Sequence, residues 1–411
     1  MKQILYIAIL VLIGSIRNGI AQTTNLGQLT IAPNTEVSIL DDFENSATAS
    51  LINNGDLWIY QNYQNNGQVS FLVAHNSGIT RFVGSMLQQI TGSSISTFYD
   101  LSFDNLSMDT PFQLSGGIYA MNAVNFTNGI VQNDGFSGEF IFGQDAVHSG
   151  TSDMSFVDGE VEKLGDTPFE FPTGDDLSYR KIQISTPDDQ NDSFTAKYYK
   201  ENSHPTYSHD LTAGVIDLID TNEYWTLTRN QGSSDVVITL TWDETISSPE
   251  LLIGPTSAIH IVRWDAINGF WVDEGGIVDE ANKTVTTVTT VSGYGVFALA
   301  RVKEDLILPG GIVIYNLITP NGDGDNDFLR IEGLNLVGDN TVEIFNRWGT
   351  RVFDTKNYNA SGNIFEGYSD GRGTVNRGDQ LPTGTYYYIL TYKHNSQQIK
   401  KAGYLYISGN K

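Results

Sequence analysis

Apolar residues recur along this chain in short bursts, most of them alternating with polar residues at a period of two. From Gln22 to about Gly165 the bursts include LTIAPNTEVSIL, GDLWIYQNYQNNGQVSFLVAH, TFYDLSFDNL, GGIYAMNAVNFTNGIV and EFIFG, bounded mainly by Asn and Gly. Alternation over a few residues between turn formers predicts short, half-buried strands. The closing tripeptides repeat, as NNG at 53–55 and 65–67 and TNG at 127–129. That recurrence suggests coils of ~20 residues stacked into a parallel β-helix, each coil lending its apolar side to one shared core. An irregular antiparallel sandwich is the competing arrangement.

Between residues 166 and 302 the bursts lengthen. KIQIS, FTAKYYK, EYWTLTR, DVVITLTWDE, AIHIVRWD, GFWVDEGG and KTVTTVTTVSGYGVFALARV follow one another across loops rich in Asp, Ser, Pro and Gly. This spacing predicts an antiparallel β-sandwich with Trp225, Trp242, Trp264 and Trp271 as core. A sugar-stacking platform is the alternative use of those indoles. Arg263–Asp265 and Gly269–Val272 read as a hairpin with Ile267, Asn268 and Gly269 at its tip. The charged and Gly/Pro-containing stretch 303–311 reads as a linker. Residues 312–411 hold six or seven further strand-like pieces, enough for a small immunoglobulin-like β-sandwich. In the GTYYYILTY piece, Tyr386, Tyr388, Leu390 and Tyr392 share one face and Thr385, Tyr387, Ile389 and Thr391 the other. A 3.6-residue period is nearly absent, so the fold class is all-β.

Residues 1–21, MKQILYIAILVLIGSIRNGIA, depart from this pattern. One early cation, an apolar run from Ile4 to Ile13, and small Gly19 and Ala21 before Gln22 form the layout of a signal peptide. The apolar run falls short of the ~20 residues that span a bilayer, and no transmembrane segment is expected in the mature chain.

Charge divides the 411-residue chain. Residues 312–411 carry 10 Lys+Arg against 10 Asp+Glu, whereas residues 22–311 carry 11 against 38. A surface this acidic repels nucleic acid and anionic lipid, so nucleic-acid partners are excluded. The contrast marks the last hundred residues as a module with its own task. With no cysteine in the chain, a disulfide scaffold, thiolate metal sites and a thiol nucleophile are ruled out.

Four motifs stand in order at the C-terminus: ITPNGDGDND (318–327), VEIFNRWGTRVF (342–353), LPTGTYYYIL (381–390) and AGYLYI (402–407). Together they resemble the gliding-motility-associated C-terminal domain of Bacteroidetes, the type B sorting domain of type IX secretion cargo. The resemblance covers about residues 312–411 and falls on Asn346, Arg347, Trp348, Gly349, Pro382, Gly384 and Tyr386. It implies export in two steps, the leader delivering the chain to the periplasm and the folded tail then being read by the type IX translocon and an outer-membrane partner protein. The implied location is secreted or at the cell surface. The upstream FEFPTGDDLSYRKIQIS and Trp-rich run also resembles segments that precede such domains in surface proteins. On physical grounds Gly349 is expected to take φ > 0 in a turn under which Trp348 packs.

Candidate chemistry is sparse. In NGDGDND, Asn321, Asp323, Asp325 and Asp327 place oxygen ligands at every other residue, as a calcium loop would, while a polar turn is the simpler use of Asp and Gly. No cofactor is required. His204, His209 and Asp210 lie together around Pro205, where a surface loop is expected. With 48 acidic residues, pairs of carboxylates carry no information about glycosidase chemistry. No GxSxG, HExxH, P-loop or dinucleotide fingerprint occurs. The sequence therefore reads as a non-enzymatic exported protein with an adhesive or accessory structural role in the surface or gliding machinery, contacting a surface adhesin or a glycan. The alternatives are a carbohydrate-binding surface protein and a polysaccharide-cleaving enzyme on a β-helix.

Overall fold

The computed structural model describes residues 22–408 except 76, 108–110, 213–214, 268, 288–289, 292, 304–307, 309–311, 323–325, 338, 360–361, 371–376 and 396. Residues 1–21, read from the sequence as a leader, lie outside the described residues. Among those described there is no α-helix, and three short 3₁₀ turns are the only helical elements.

Residues 22–164 form a parallel β-solenoid of six three-strand coils, followed by the first two strands of a further turn. Each coil contributes one strand to each of three lateral faces. On the first face Phe43, Tyr63, Ile90 and Leu114 stand in register on successive coils. These positions are separated by 20, 27 and 24 residues, so coil length varies around the expected repeat. The added residues leave the coil at its corners, as at 71–75, and the inward positions stay aligned. Phe82, Phe103 and Phe126 stack on the third face with centroids 5.7 Å apart. All three are fully buried, each contributing ~1.5–3 kcal/mol relative to exposure.

An asparagine ladder holds the corner between the first and second faces. Asn25 Nδ2 donates to Asn45 Oδ1 and Asn45 Nδ2 to Asn65 Oδ1, each at 2.9 Å. Asn65 Nδ2 continues the row to Ser96 Oγ at 3.0 Å. Each asparagine also satisfies backbone that bends too sharply to pair in the sheet, Asn65 Oδ1 accepting the Gly67 N–H at 3.1 Å. Gly67 has no alternative, because a Cβ there would stand 2.3 Å from the Ser46 carbonyl oxygen and 2.4 Å from that of Ala49. The NNG at 65–67 is thus a corner-forming unit. The NNG at 53–55 turns the next corner in the same way, Asn53 Oδ1 accepting the Gly55 N–H and Nδ2 donating to Thr80 Oγ1.

The second face continues past the solenoid without a break. Val161–Leu164 pairs antiparallel with Ser193–Tyr199, and the sheet runs on through Tyr224–Gln231, Gly295–Val302, Ile259–Asp265 and Phe270–Asp273. A five-stranded antiparallel sheet from Phe169–Phe171 to Ile277–Asp279 covers its inner side. One hydrophobic cluster extends from Ile31 in the first coil to Leu299 in the sandwich. The sandwich therefore closes the end of the solenoid core that would otherwise face water. Inside it Arg180 makes two 2.8 Å bonds to Glu223, which also accepts from Tyr198 Oη at 3.0 Å and from Ser247. The charges of this buried pair are thus balanced, and Arg180 Nη2 also donates to the Thr241 carbonyl at 2.7 Å.

Trp225, Trp242 and Trp271 are buried and Trp264 is half-buried against Trp271, as core residues would be. The hairpin pairs Trp264 with Trp271 and Asp265 with Phe270. Asn268 in its tip lies outside the described residues.

The tail has its own sheets and its own core. Leu317–Ile318, Gln397–Ile407, Gly384–His394, Asn340–Phe345 and Arg351–Lys356 form a five-stranded sheet in that spatial order. Its inner face holds a cluster that includes Ile312, Val342, Tyr358, Tyr388, Leu390 and Ile407, separate from the cluster upstream. The tyrosine strand alternates as expected, with Tyr386, Tyr388, Leu390 and Tyr392 buried.

Candidate functional site

The four C-terminal motifs meet at one end of this last sheet. Asn340–Phe345 runs into a tight turn that Asn346 builds from inside. Its Oδ1 accepts the N–H groups of Trp348 and Thr350 at 3.0 and 2.9 Å, and its backbone carbonyl accepts from Gly349 at 2.9 Å. Gly349 has φ +75°, the left-handed conformation expected of it. Trp348 departs from expectation. It is 72% exposed instead of packing under the turn, because the buried Asn346 occupies the inside and the indole is turned outward. The Arg347 guanidinium lies over the indole, 4.4 Å from its centroid.

Beside this turn, Tyr386 donates from its hydroxyl to the Pro382 carbonyl at 3.0 Å, closing the LPTG loop. Burial pushes the Tyr386 phenol up to about 12, opposed by the positive charge of Arg347. Gly384 takes φ +152° where the loop enters the strand. The ITPNGDGDND loop reaches the same end, with the Pro320 carbonyl accepting from Gln380 Nε2 at 3.0 Å. Asp327 closes this loop on itself, one carboxylate oxygen accepting from the Asn321 and Gly322 N–H groups at 3.1 and 2.6 Å. Asp323 and Asp325 lie outside the described residues, so half of the candidate calcium set is placed and half is not. Among the described residues no group of three or more acidic or histidine side chains is arranged to hold a metal ion.

The outer face of the sheet adds residues that motif reading alone did not assemble. Phe345 pairs with Tyr387, and Tyr387 with Tyr404, making an aromatic row across three strands. The rings of Tyr387 and Tyr404 are 5.4 Å apart and each residue is 41% exposed. Alternation already put Tyr387 opposite Tyr386, but its neighbour Tyr404 comes from strand register across a hairpin. Arg351 holds the sheet edge through Glu343 at 2.7 Å.

Elsewhere two of the histidines singled out in the sequence bond within their own loop. His209 donates its backbone N–H to His204 Nδ1 at 3.0 Å and bonds Ser203 Oγ through Nε2 at 2.8 Å. Its ring lies against Trp271, and burial drops it to about 4. A group of carboxylates forms around Asp158, which burial and the charges of Asp175 and Asp134 lift to about 6. That group is braced, since Lys197 Nζ binds Asp134 at 2.8 Å and Gln132 donates to Asp158.

The tail is thus a small, separately cored β-module whose distinguishing residues are gathered at one end. Residues 312–407 match the family model of the CHU_C Type IX secretion signal domain. The match implies export by the type IX secretion system, to the cell surface or the medium. It covers less than a quarter of the chain and speaks for the tail alone. No curated protein matches the sequence. No helix among the described residues is long and apolar enough to cross a membrane.

Proposed function

We propose that this protein is a non-enzymatic cargo of type IX secretion whose solenoid is displayed outside the cell, where its faces and corner loops make adhesive or accessory structural contacts in the surface or gliding machinery. In this reading the leader is removed in the periplasm and the tail is then read by the translocon and an outer-membrane partner. The observation that carries it is the convergence of four sequence-distant motifs at one end of a module with its own core. Trp348 supports a recognition role for that end, because packing alone does not keep a tryptophan 72% exposed on a guanidinium-capped turn. The solenoid supports display, since a rod with a continuous core holds its surface rigidly without a partner.

The test has two arms. Removing residues 312–411 should strand the protein inside the cell envelope, and undiminished release of the truncated protein overturns the sorting assignment. Replacing Trp348 with Ala should lower release while leaving the melting temperature of the purified protein unchanged. Full release of that variant removes the turn from the recognition surface.

A further inference from the structure

The solenoid carries a groove on its second face that no sequence motif announced. Its floor is formed by outward side chains of successive coils, Gln68 and Ser70 on one strand, Ile95 and Thr97 on the next. Its wall is the stretch Phe71–His75, which leaves the coil and is tied back through the Leu72 N–H, donated to the buried Asn54 Oδ1 at 2.8 Å. Phe71 lies edge-on to Tyr99 at 5.2 Å and lines the groove together with Val73, which is 74% exposed. The groove is open to solvent along its length and has a volume of ≈ 610 Å³, within the range of small-ligand sites.

The chemistry of the lining is selective. None of the twelve residues around this groove is ionisable, although the chain has a formal net charge of −25. The lining offers amides, hydroxyls, an aromatic ring and aliphatic carbons. Among the described residues the side chains of Gln68, Ser70 and Thr97 have no hydrogen-bond partner, so their donors and acceptors face the groove. An anionic ligand would be repelled by the surrounding acidic surface, and a cationic one, though drawn to that surface, would find no counter-charge in the groove to hold it there. An uncharged polyol with apolar C–H faces matches both halves of the lining, its hydroxyls meeting the amides and hydroxyls and its ring faces meeting Phe71.

We infer that this groove is a binding site for a neutral oligosaccharide. The inference deepens the proposed display role and rests on it for biological meaning, but its test uses the purified mature chain and does not involve secretion. Failure of either can therefore be recognised separately. The site is distinct from the tryptophan-lined sandwich, whose indoles are committed to packing.

The experiment is titration of the purified full-length mature protein with cellohexaose, mannohexaose and laminarihexaose as neutral probes. Hexagalacturonate and chitosan hexamer serve as anionic and cationic probes. Binding of at least one neutral hexamer and of neither charged one is expected. Phe71→Ala should weaken that binding about three- to tenfold, the worth of one aromatic contact. Thr97→Val, which keeps the β-branched shape and loses the hydroxyl, should weaken it severalfold with no change in melting temperature. Three outcomes overturn the inference: no neutral hexamer binds, a charged hexamer binds in preference, or both variants bind like the parent. A concentration-dependent dimer in sedimentation that Phe71→Ala abolishes would also overturn it, by making a second copy of the chain the occupant.

Discussion

Replacing Asn65 with Ala tests whether side-chain amides, rather than apolar stacking alone, hold the corners of the solenoid. Asn65 is fully buried and makes bonds in both directions. Its loss takes the acceptor from the Gly67 N–H, at a cost of ~1–3 kcal/mol for an orphaned buried donor. Asn45 Nδ2 loses one acceptor but keeps the Gln68 carbonyl at 3.1 Å, and Ser96 keeps the Tyr63 hydroxyl at 2.9 Å. These partial losses add ~1–2 kcal/mol, giving ~2–5 kcal/mol in all. Asn25 is the internal control, because it stands at the half-buried outer end of the same ladder. Water can replace much of what Asn25→Ala removes, so ~0.5–1.5 kcal/mol is expected there. Urea unfolding followed by circular dichroism measures both, and Asn65→Ala should also lower the melting temperature by roughly 3–9 °C. Equal costs at the two positions, or a cost below ~1 kcal/mol at Asn65, would refute the ladder as a stabilising element.

Two further outcomes concern buried charge in the sandwich. Burial and the neighbouring Glu223 raise Asp220 from 3.8 to about 7, even though it accepts backbone N–H bonds from Asn222 and Ser248. The folded state then holds a proton more tightly than the unfolded chain between about pH 4 and 7. Stability is lost as pH rises through that window, by at most ~4 kcal/mol. Asp220→Asn should therefore gain on the parent progressively from pH 4 to pH 8 in thermal melts, and a pH-independent difference would contradict the assignment. Glu223→Gln leaves the Arg180 charge buried without its partner and should cost ~3–5 kcal/mol. Adding Arg180→Met should recover part of that loss, whereas strictly additive costs in chemical denaturation would show that the two side chains are not coupled.

The all-β class was legible because short alternating bursts cannot build amphipathic helices, and the stacked coils were legible because corners recur. At 65–67 the tripeptide NNG is both a turn signal and the working part of the corner, so a local pattern carried long-range meaning. Coil lengths of 20, 27 and 24 residues blurred the repeat, because excursions at corners change the spacing without disturbing the inward ladder. The tail was readable for a different reason: its motifs are dense, ordered and adjacent to the turns they form.

Other features required the folded chain. That the solenoid and sandwich share one sheet depends on Val161–Leu164 pairing with a strand some thirty residues later, a choice set by which open edge most needs covering. The outward Trp348 was decided by competition for the inside of one turn, which the smaller, polar Asn346 won by satisfying backbone N–H groups. The Tyr387–Tyr404 row and the uncharged groove beside Phe71 come from cross-strand register, which places side chains together that no linear spacing relates. Local alternation is encoded residue by residue and survives in the linear text. Neighbourhood across strands exists only after the backbone hydrogen bonds have chosen their partners.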